Sequence, residues 1–341
     1  MAVPASRSEQ IARRSEVHAL AASAQGWFDS GDRLEALIQA IRARRQLDQL
    51  QTADPALSQD VDAILRRIIF GINEINQFSG HQGVIRAVVY NPNGRQIASA
   101  SQDDTIKLWQ PDGTLIATLS GHRRGALALA FSPKGDWLVS GGGDGSLKVW
   151  QPSTGELLQN PSDHGARVTS LAVSPGGDRF ASGGIDGQVK LWQRDGTLIR
   201  VFSGHGAMVR ALAFSPDGQL LVSASADNTL KLWNPNQTSL PGQPITTLTA
   251  HAATVTDVTF SPDGQTFASA STDNTVRLWS PQGQLLDTLE GHRAAVATVR
   301  FSPDGQMLVS TSDDHDVRFW RSNGEPILAY GGITAAGSAI D

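Results

Sequence analysis

Residues 80–109 read GHQGVIRAVVYNPNGRQIASASQDDTIKLW, and the chain returns to this pattern five more times. The opening pair recurs as Gly80-His81, Gly121-His122, Asp163-His164, Gly204-His205, Ala250-His251 and Gly291-His292, a period of about 41 residues. Eleven residues after each His stands a Pro (Pro92, Pro133, Pro175, Pro216, Pro262, Pro303), and two further on a Gly (Gly94, Gly135, Gly177, Gly218, Gly264, Gly305), which marks a turn. A Ser follows each His at 18 residues, an Asp at 22 and a Trp at 28, with no insertion in any unit.

Between these marks the sequence reads as short strands. Apolar residues at Ile85, Val88 and Tyr90, or at Val209, Leu212 and Phe214, predict a half-buried first strand with one irregularity of the kind a bulge causes. The second strand is IASAS or LVSAS. The third is TIKLW, SLKVW, QVKLW, TLKLW, TVRLW or DVRFW, and a fourth, such as TLIRVFSG, leads into the next His. Four strands per unit predict an all-β propeller of six four-stranded antiparallel blades, with a seven-bladed ring as the alternative.

The repeat resembles the WD-repeat family over residues 74–330, and that resemblance implies a hydrogen-bonded network of His, Ser, Asp and Trp in every blade. The matching positions are His81, Ser99, Asp103, Trp109; His122, Ser140, Asp144, Trp150; His164, Ser182, Asp186, Trp192; His205, Ser223, Asp227, Trp233; His251, Ser269, Asp273, Trp279; and His292, Ser310, Asp314, Trp320. All six sets are complete in residue type. The family's name-giving Asp after Trp is replaced by Gln110, Gln151, Gln193, Asn234, Ser280 and Arg321, which lie outside the network. A carboxylate can be buried only if it is hydrogen-bonded, and a His between Asp and Ser can donate to one and accept from the other. Six copies of a Ser, His and Asp set read as a structural device, not a hydrolytic triad.

Composition narrows the function. A net charge of −5 without a long basic run argues against nucleic acid, whose phosphates need clustered Lys and Arg. The absence of cysteine removes disulfides, thiolate metal sites and cysteine nucleophiles. MAVPASRSEQIARRSEV lacks the apolar stretch of a secretory signal, and no segment is apolar over the roughly 18 residues a membrane span needs. The expectation is a cytoplasmic protein with no membrane span. Neither a metal nor a cofactor is expected: no GxxxxGK[ST] loop occurs, the DG turns lack a calcium-loop pattern, and His315, the one repeat-array histidine outside the network, reads as an exposed turn.

Residues 1–72 lack the repeat and predict a helical lead-in, followed by the propeller over 73–330 and a tail over 331–341. Apolar stripes fall at Leu34, Leu37, Ile38 and Ile41 and at Val61, Ile64, Leu65 and Ile68. A first helix is expected over 5–28, a second capped by Asp32 and a third opened by Pro55. The stretch ALAASAQGWFDSGDRLEALIQAIRARRQL resembles a tetratricopeptide hairpin and, more closely, the helical linker before propellers in bacterial STAND-type signalling ATPases. Residues 74–79 are expected to close the array by pairing with the third strand of the last blade near Arg318–Trp320. Pro326–Tyr330 competes for that slot, and if it wins, a seventh blade is wanting.

In the family, one face of the disc is lined by side chains three and five positions after each His and by the residue before each network Asp. These positions vary between repeats here, and Arg86, Leu127, Arg167, Ile185, Met208 and Arg210 give the mixture of Arg and apolar groups that interface hot spots favour. They are the candidate contacts for a protein partner, and the loop 234–243, longer than its counterparts, is a second candidate on the opposite face. The expected function is a non-enzymatic interaction scaffold or sensor module. The alternatives are a lactonase- or glycosidase-like propeller hydrolase and a detached sensor fragment of a larger STAND-type ATPase.

Overall fold

Each repeat spends its alternating segments on one four-stranded antiparallel sheet, and six such sheets follow one another along the chain. The computed structural model describes residues 7–29, 33–48, 57–58, 60–61, 63–65, 78–161, 163–237 and 242–330. Two compact units divide the chain, residues 1–77 and 78–341. The first sheet contains Ile85–Tyr90, Ile97–Ser101, Thr105–Trp109 and Leu115–Ser120, in sequence order across the sheet. The sixth contains Val296–Phe301, Met307–Ser312, Val317–Arg321 and Pro326–Tyr330.

Adjacent sheets meet through their first strands, which therefore stand innermost, and each fourth strand lies at the rim. The pleat gives every first strand two apolar faces. In blade 2, Ala126, Leu129 and Phe131 pack with blade 1, whereas Ala128 and Ala130 pack with blade 3. Five such clusters join blades 1–2, 2–3, 3–4, 4–5 and 5–6. Each buried Val or Leu in them contributes roughly 1.5–3 kcal/mol. The second strands carry small residues because neighbouring sheets approach closely: a Cβ on Gly141 would lie 2.4 Å from Val168 Cγ1.

The expected irregularity of the first strand is a bulge in every blade. The register slips at Arg86, Leu127, Thr169, Arg210, Thr256 and Ala297, the position five residues after each His. The hairpins between second and third strands turn through a left-handed residue just after the network Asp. Gly145 and Gly187 serve there in blades 2 and 3, and Asp104, Asn228, Asn274 and His315 take φ of 67–70° in the other four. Short polar side chains tolerate this conformation better than most.

The structure corrects the expected closure. Pro326–Tyr330 occupies the slot beside the last third strand, with Val317 opposite Tyr330 and Arg318 opposite Ala329. Residues 78–80 form no strand, and residues 74–77 lie outside the described ones. The reason is local: a tight turn with Gly324 N–H donating to Arg321 C=O (2.9 Å) brings Pro326 back onto its own blade, whereas residues 74–79 would have to return across the whole array.

In the first unit, α1 (Arg7–Asp29) packs against α2 (Arg33–Asp48). The buried seam consists of Val17, Ala21 and Ala24 on α1 and Ala36, Ala40, Ala43 and Leu47 on α2, joined by Leu57, Val61 and Leu65. Of the expected apolar stripe of α2, Ile38 is half-buried and Ile41 is exposed, and the side chains of Leu34 and Leu37 lie outside the described ones. Small side chains allow the two helices to approach closely, and they take the inner face. Asp32, Pro55, Ile68 and the tail 331–341 lie outside the described residues.

Candidate functional site

The residues at the quartet positions are assembled in all six blades, though not identically. In blade 4, His205 Nδ1 lies 2.9 Å from Asp227 Oδ2, Nε2 lies 2.6 Å from Ser223 Oγ, and Trp233 Nε1 donates to the same Oγ at 2.9 Å. Blades 1, 5 and 6 repeat this, with His–Asp contacts of 2.8, 2.8 and 3.0 Å. A carboxylate only accepts, so Nδ1 carries the proton, Nε2 accepts from the Ser hydroxyl, and the hydroxyl oxygen accepts from Trp. Blades 2 and 3 depart from the pattern. His122 Nδ1 lies 3.8 Å from Asp144 and 2.8 Å from Ser146 Oγ, which donates to Asp144. His164 bonds Ser182 through Nδ1, and its Nε2 stands 3.4 Å from Asp186 with no hydrogen-bond partner.

A residue type that the sequence reading passed over completes four of the quartets. Thr105, Thr229 and Thr275 donate to their network Asp at 2.6 Å, and Ser146 does so at 2.7 Å. The signal was present, a Thr or Ser two residues after Asp in four repeats; blade 3 has Gln188 and blade 6 Asp316 instead. Backbone N–H groups of Gln82, Arg123, Gly206, Ala252 and Arg293 donate to the same carboxylates.

These surroundings fix the charge states. Burial pushes His122 down to about 4 against the pull of Asp144, and burial likewise lowers His164, His205, His251 and His292. Burial works to raise Asp227, Asp273 and Asp314, but the bonds they accept outweigh it and hold each at about 2. Asp103 is held lower still by the same balance. In blades 2, 4, 5 and 6 the quartet therefore sets a neutral imidazole against a stabilised carboxylate. Its serines are buried, from Ser99 at 5% exposed to Ser310 at 0%, so no substrate reaches these hydroxyls.

Around the quartets, the candidate binding positions converge pairwise. The residue before each network Asp donates its N–H to the carbonyl three positions after the His: Gln102 to Val84, Gly143 to Gly125, Ile185 to Arg167, Ala226 to Met208, Thr272 to Thr254 and Asp313 to Ala295, all within 2.8–3.0 Å. Arg167 and Ile185 are thus neighbours on one exposed patch. Arg86 and Arg210 are exposed bulge residues, and Met208 is half-buried. With its amide oxygen turned toward Arg86, Gln102 accepts from Arg86 Nε at 3.1 Å. Leu127 stands apart from this set, being buried, with a methyl 3.2 Å from where a Cβ on Gly125 would sit. Bulge positions elsewhere tie blades together, as Thr256 Oγ1 donates to Val296 C=O at 2.7 Å.

The second candidate, the loop 234–243, folds onto blade 3. Arg179 donates to Asn236 Oδ1 at 2.9 Å, and Gly242 forms a parallel bridge with Phe202, while residues 238–241 lie outside the described ones. His315 is an exposed turn residue. Among the described residues no group of three His, Asp or Glu could hold a metal ion, and no helix is long and apolar enough to cross a membrane.

The family model described as WD domain, G-beta repeat matches residues 72–110, 113–151, 155–193, 196–234, 242–280 and 283–321. An uncharacterized WD repeat-containing protein of Synechocystis sp. is 35% identical over 114 residues, which are 32% of this chain and 10% of that protein. The matched part of the chain thus spans about a tenth of that relative's length.

Proposed function

Because this chain belongs to the WD domain, G-beta repeat family, we propose that it is a non-enzymatic scaffold in the cytoplasm, presenting one propeller face to a protein partner in signalling or assembly. The observation that supports this reading is the sixfold pairing of the carbonyl just before each first strand with the residue before the network Asp, which holds different side chains on one repeated frame. A rigid frame carrying individual side chains is how repeat proteins acquire specificity. Arg86, Arg167 and Arg210 supply donors and Ile185 and Met208 apolar surface, while Leu127, being buried, is the weakest of the six candidates. The helical unit links or docks the propeller, in the manner its resemblance to STAND-type linkers implies. The matched relative is far longer than this chain, which favours such blades working as modules of larger assemblies.

Affinity capture tests the reading. The full chain should retain a reproducible partner set, and a variant carrying Arg86→Ser, Arg167→Ser, Arg210→Ser, Ile185→Asp and Met208→Asp should lose it while melting at the same temperature. Undiminished capture by that variant removes this face as the binding site.

A further inference from the structure

The strands of each sheet run antiparallel in sequence order, so the loop entering each first strand and the hairpin between second and third strands emerge at one end of the blades. That end exposes Arg86, Arg123, Arg124, Arg167, Arg210 and Arg293, and among the described residues no ion pair engages any of them. The network carboxylates are offset by third-strand cations beside the quartets of their own blades, as Lys148, Lys190, Lys231, Arg277 and Arg318 are. Against the arginines then stand Asp104, Asp163 and Asp313, and Asp104 already accepts from the Gly125 N–H. The turns at the other end have the opposite balance. They expose Asp112, Asp195, Asp217, Asp263 and Asp304 against Arg95 and Lys134, their other exposed cations, Arg194 and Arg321, being paired with Asp136 and Glu325.

Contacts between blades join five of these arginines into one arc. Gln102 accepts from Arg86 and lies against the loop of blade 2, since a Cβ on Gly125 would sit 3.3 Å from Gln102 Cα. Farther along, a Cβ on Gly145 would sit 3.0 Å from the carbonyl oxygen of Ala166, next to Arg167, and one on Gly187 3.0 Å from that of Ala207, next to Met208. Each hairpin thus abuts the entry loop of the following blade, and the order along the arc is Arg86, the Arg123–Arg124 pair, Arg167 and Arg210, one blade after another. Val84, Ile185 and Met208 are interspersed among them, Val84 and Ile185 being exposed and Met208 half-buried. Repeat 2 alone has glycine at both paired positions, Gly125 and Gly143, so the floor of the arc is bare backbone there. A Cβ on Gly143 would collide with the Arg124 carbonyl, and Arg124 itself holds φ of 65°, a conformation that glycine reaches without steric cost. An arginine thus stands where glycine would fit more easily.

We propose that this arc binds an extended segment of the protein partner that is rich in Asp and Glu, with large apolar side chains between its carboxylates. The inference rests on the partner-binding face proposed above and gives the chemistry of what binds there. The arginine fork matches a carboxylate in shape as well as charge. Because successive blades each supply their own cationic group, the complementary charge is spread along a chain and is not gathered in one phosphate. The varying positions carry no aromatic ring on which a base could stack, which sets single-stranded nucleic acid aside. The acidic turns at the opposite end repel such a segment and steer it to the arginine end.

Fluorescence anisotropy on the full chain tests this with three labelled probes. They are a peptide of repeated Asp-Glu-Leu, the same peptide with Asn and Gln in place of Asp and Glu, and an oligodeoxythymidine of equal length. The acidic peptide should bind about tenfold tighter than either of the others, and more weakly as salt is raised. Arg124→Gly combined with Arg167→Gln should weaken its binding about tenfold, and Arg95→Gln, at the opposite end, should leave it unchanged. Glycine suits the left-handed backbone at position 124, so the double variant keeps its fold, which its melting temperature checks. Equal binding of the acidic and amide peptides, tighter binding of the oligonucleotide, or acidic-peptide binding indifferent to the double substitution each overturns the proposal. Equal binding of the two peptides together with lost partner capture by the face variant above overturns the acidic preference and leaves the binding face standing.

Discussion

Ser223 has two partners for one hydroxyl, Trp233 as donor and His205 Nε2 as acceptor, at 2.9 and 2.6 Å. Replacing it with Ala strands two buried polar groups at once, and a lost partner for a buried group costs about 1–3 kcal/mol. Ser223→Ala should therefore lower stability by about 2–3 kcal/mol in urea denaturation; a change within a few tenths would show that the quartet of blade 4 contributes nothing. Blade 3 offers the converse. His164 Nε2 is buried without a partner, and Gln188 occupies the position where Thr105, Thr229 and Thr275 bond the network Asp. Gln188→Thr supplies that hydroxyl, orders Asp186, and should raise stability by about 0.5–1.5 kcal/mol. No gain on the same assay would mean that the Thr position does not organise the Asp.

At the scale of elements, the strands were the most legible part of the sequence because their period of two, their turn residues and their sixfold repetition all agree. The bulge at Arg86 and its equivalents was readable as a break in apolar alternation, while the expectation that such positions face a partner came only from the family resemblance. Two readings failed for the same reason, that sequence pattern does not choose between competing surfaces. Residues 74–79 resemble a rim strand as well as Pro326–Tyr330 do, and loop length decided between them. In α2 the apolar stripe ends on Ile41, which is exposed, and the buried seam includes Ala36, Ala40, Ala43 and Leu47 against Ala21 and Ala24. This close seam makes a prediction: Ala40→Leu inserts a branched side chain where none fits and should cost roughly 1–3 kcal/mol in the unfolding of the helical unit. Ile41→Ala, at an exposed position, should change it by less than about 0.5 kcal/mol. Helical circular dichroism through thermal unfolding separates the two; equal effects would refute the Ala seam.

Across the whole β unit the quartets act together, and pH is the variable that reads their sum. His122, His164, His205, His251 and His292 are held below their ordinary 6.5 by burial, so the folded state binds fewer protons than the unfolded one once the pH drops below that value. Stability contributed by keeping them neutral is complete above 6.5 and is lost as pH falls toward the folded value, about 4 for His122. Each histidine that protonates only on unfolding adds a slope of about 1.4 kcal/mol per pH unit within that window. The network carboxylates act lower and in the same direction. Asp227, Asp273 and Asp314 at about 2 stay ionised where the unfolded chain, at 3.8, has taken up protons, so a second loss follows as pH falls from 3.8 toward 2. The urea midpoint should accordingly be flat above pH 7, fall steeply between 6.5 and 4, and continue downward below 4, in a buffer series at constant ionic strength. His122→Asn should flatten the upper slope by about one proton's worth, because it deletes one titrating ring from the sum. A midpoint unchanged from pH 7 to 4.5 would mean that the imidazoles are charged or solvated in the folded chain, and the quartets as drawn could not be holding the blades.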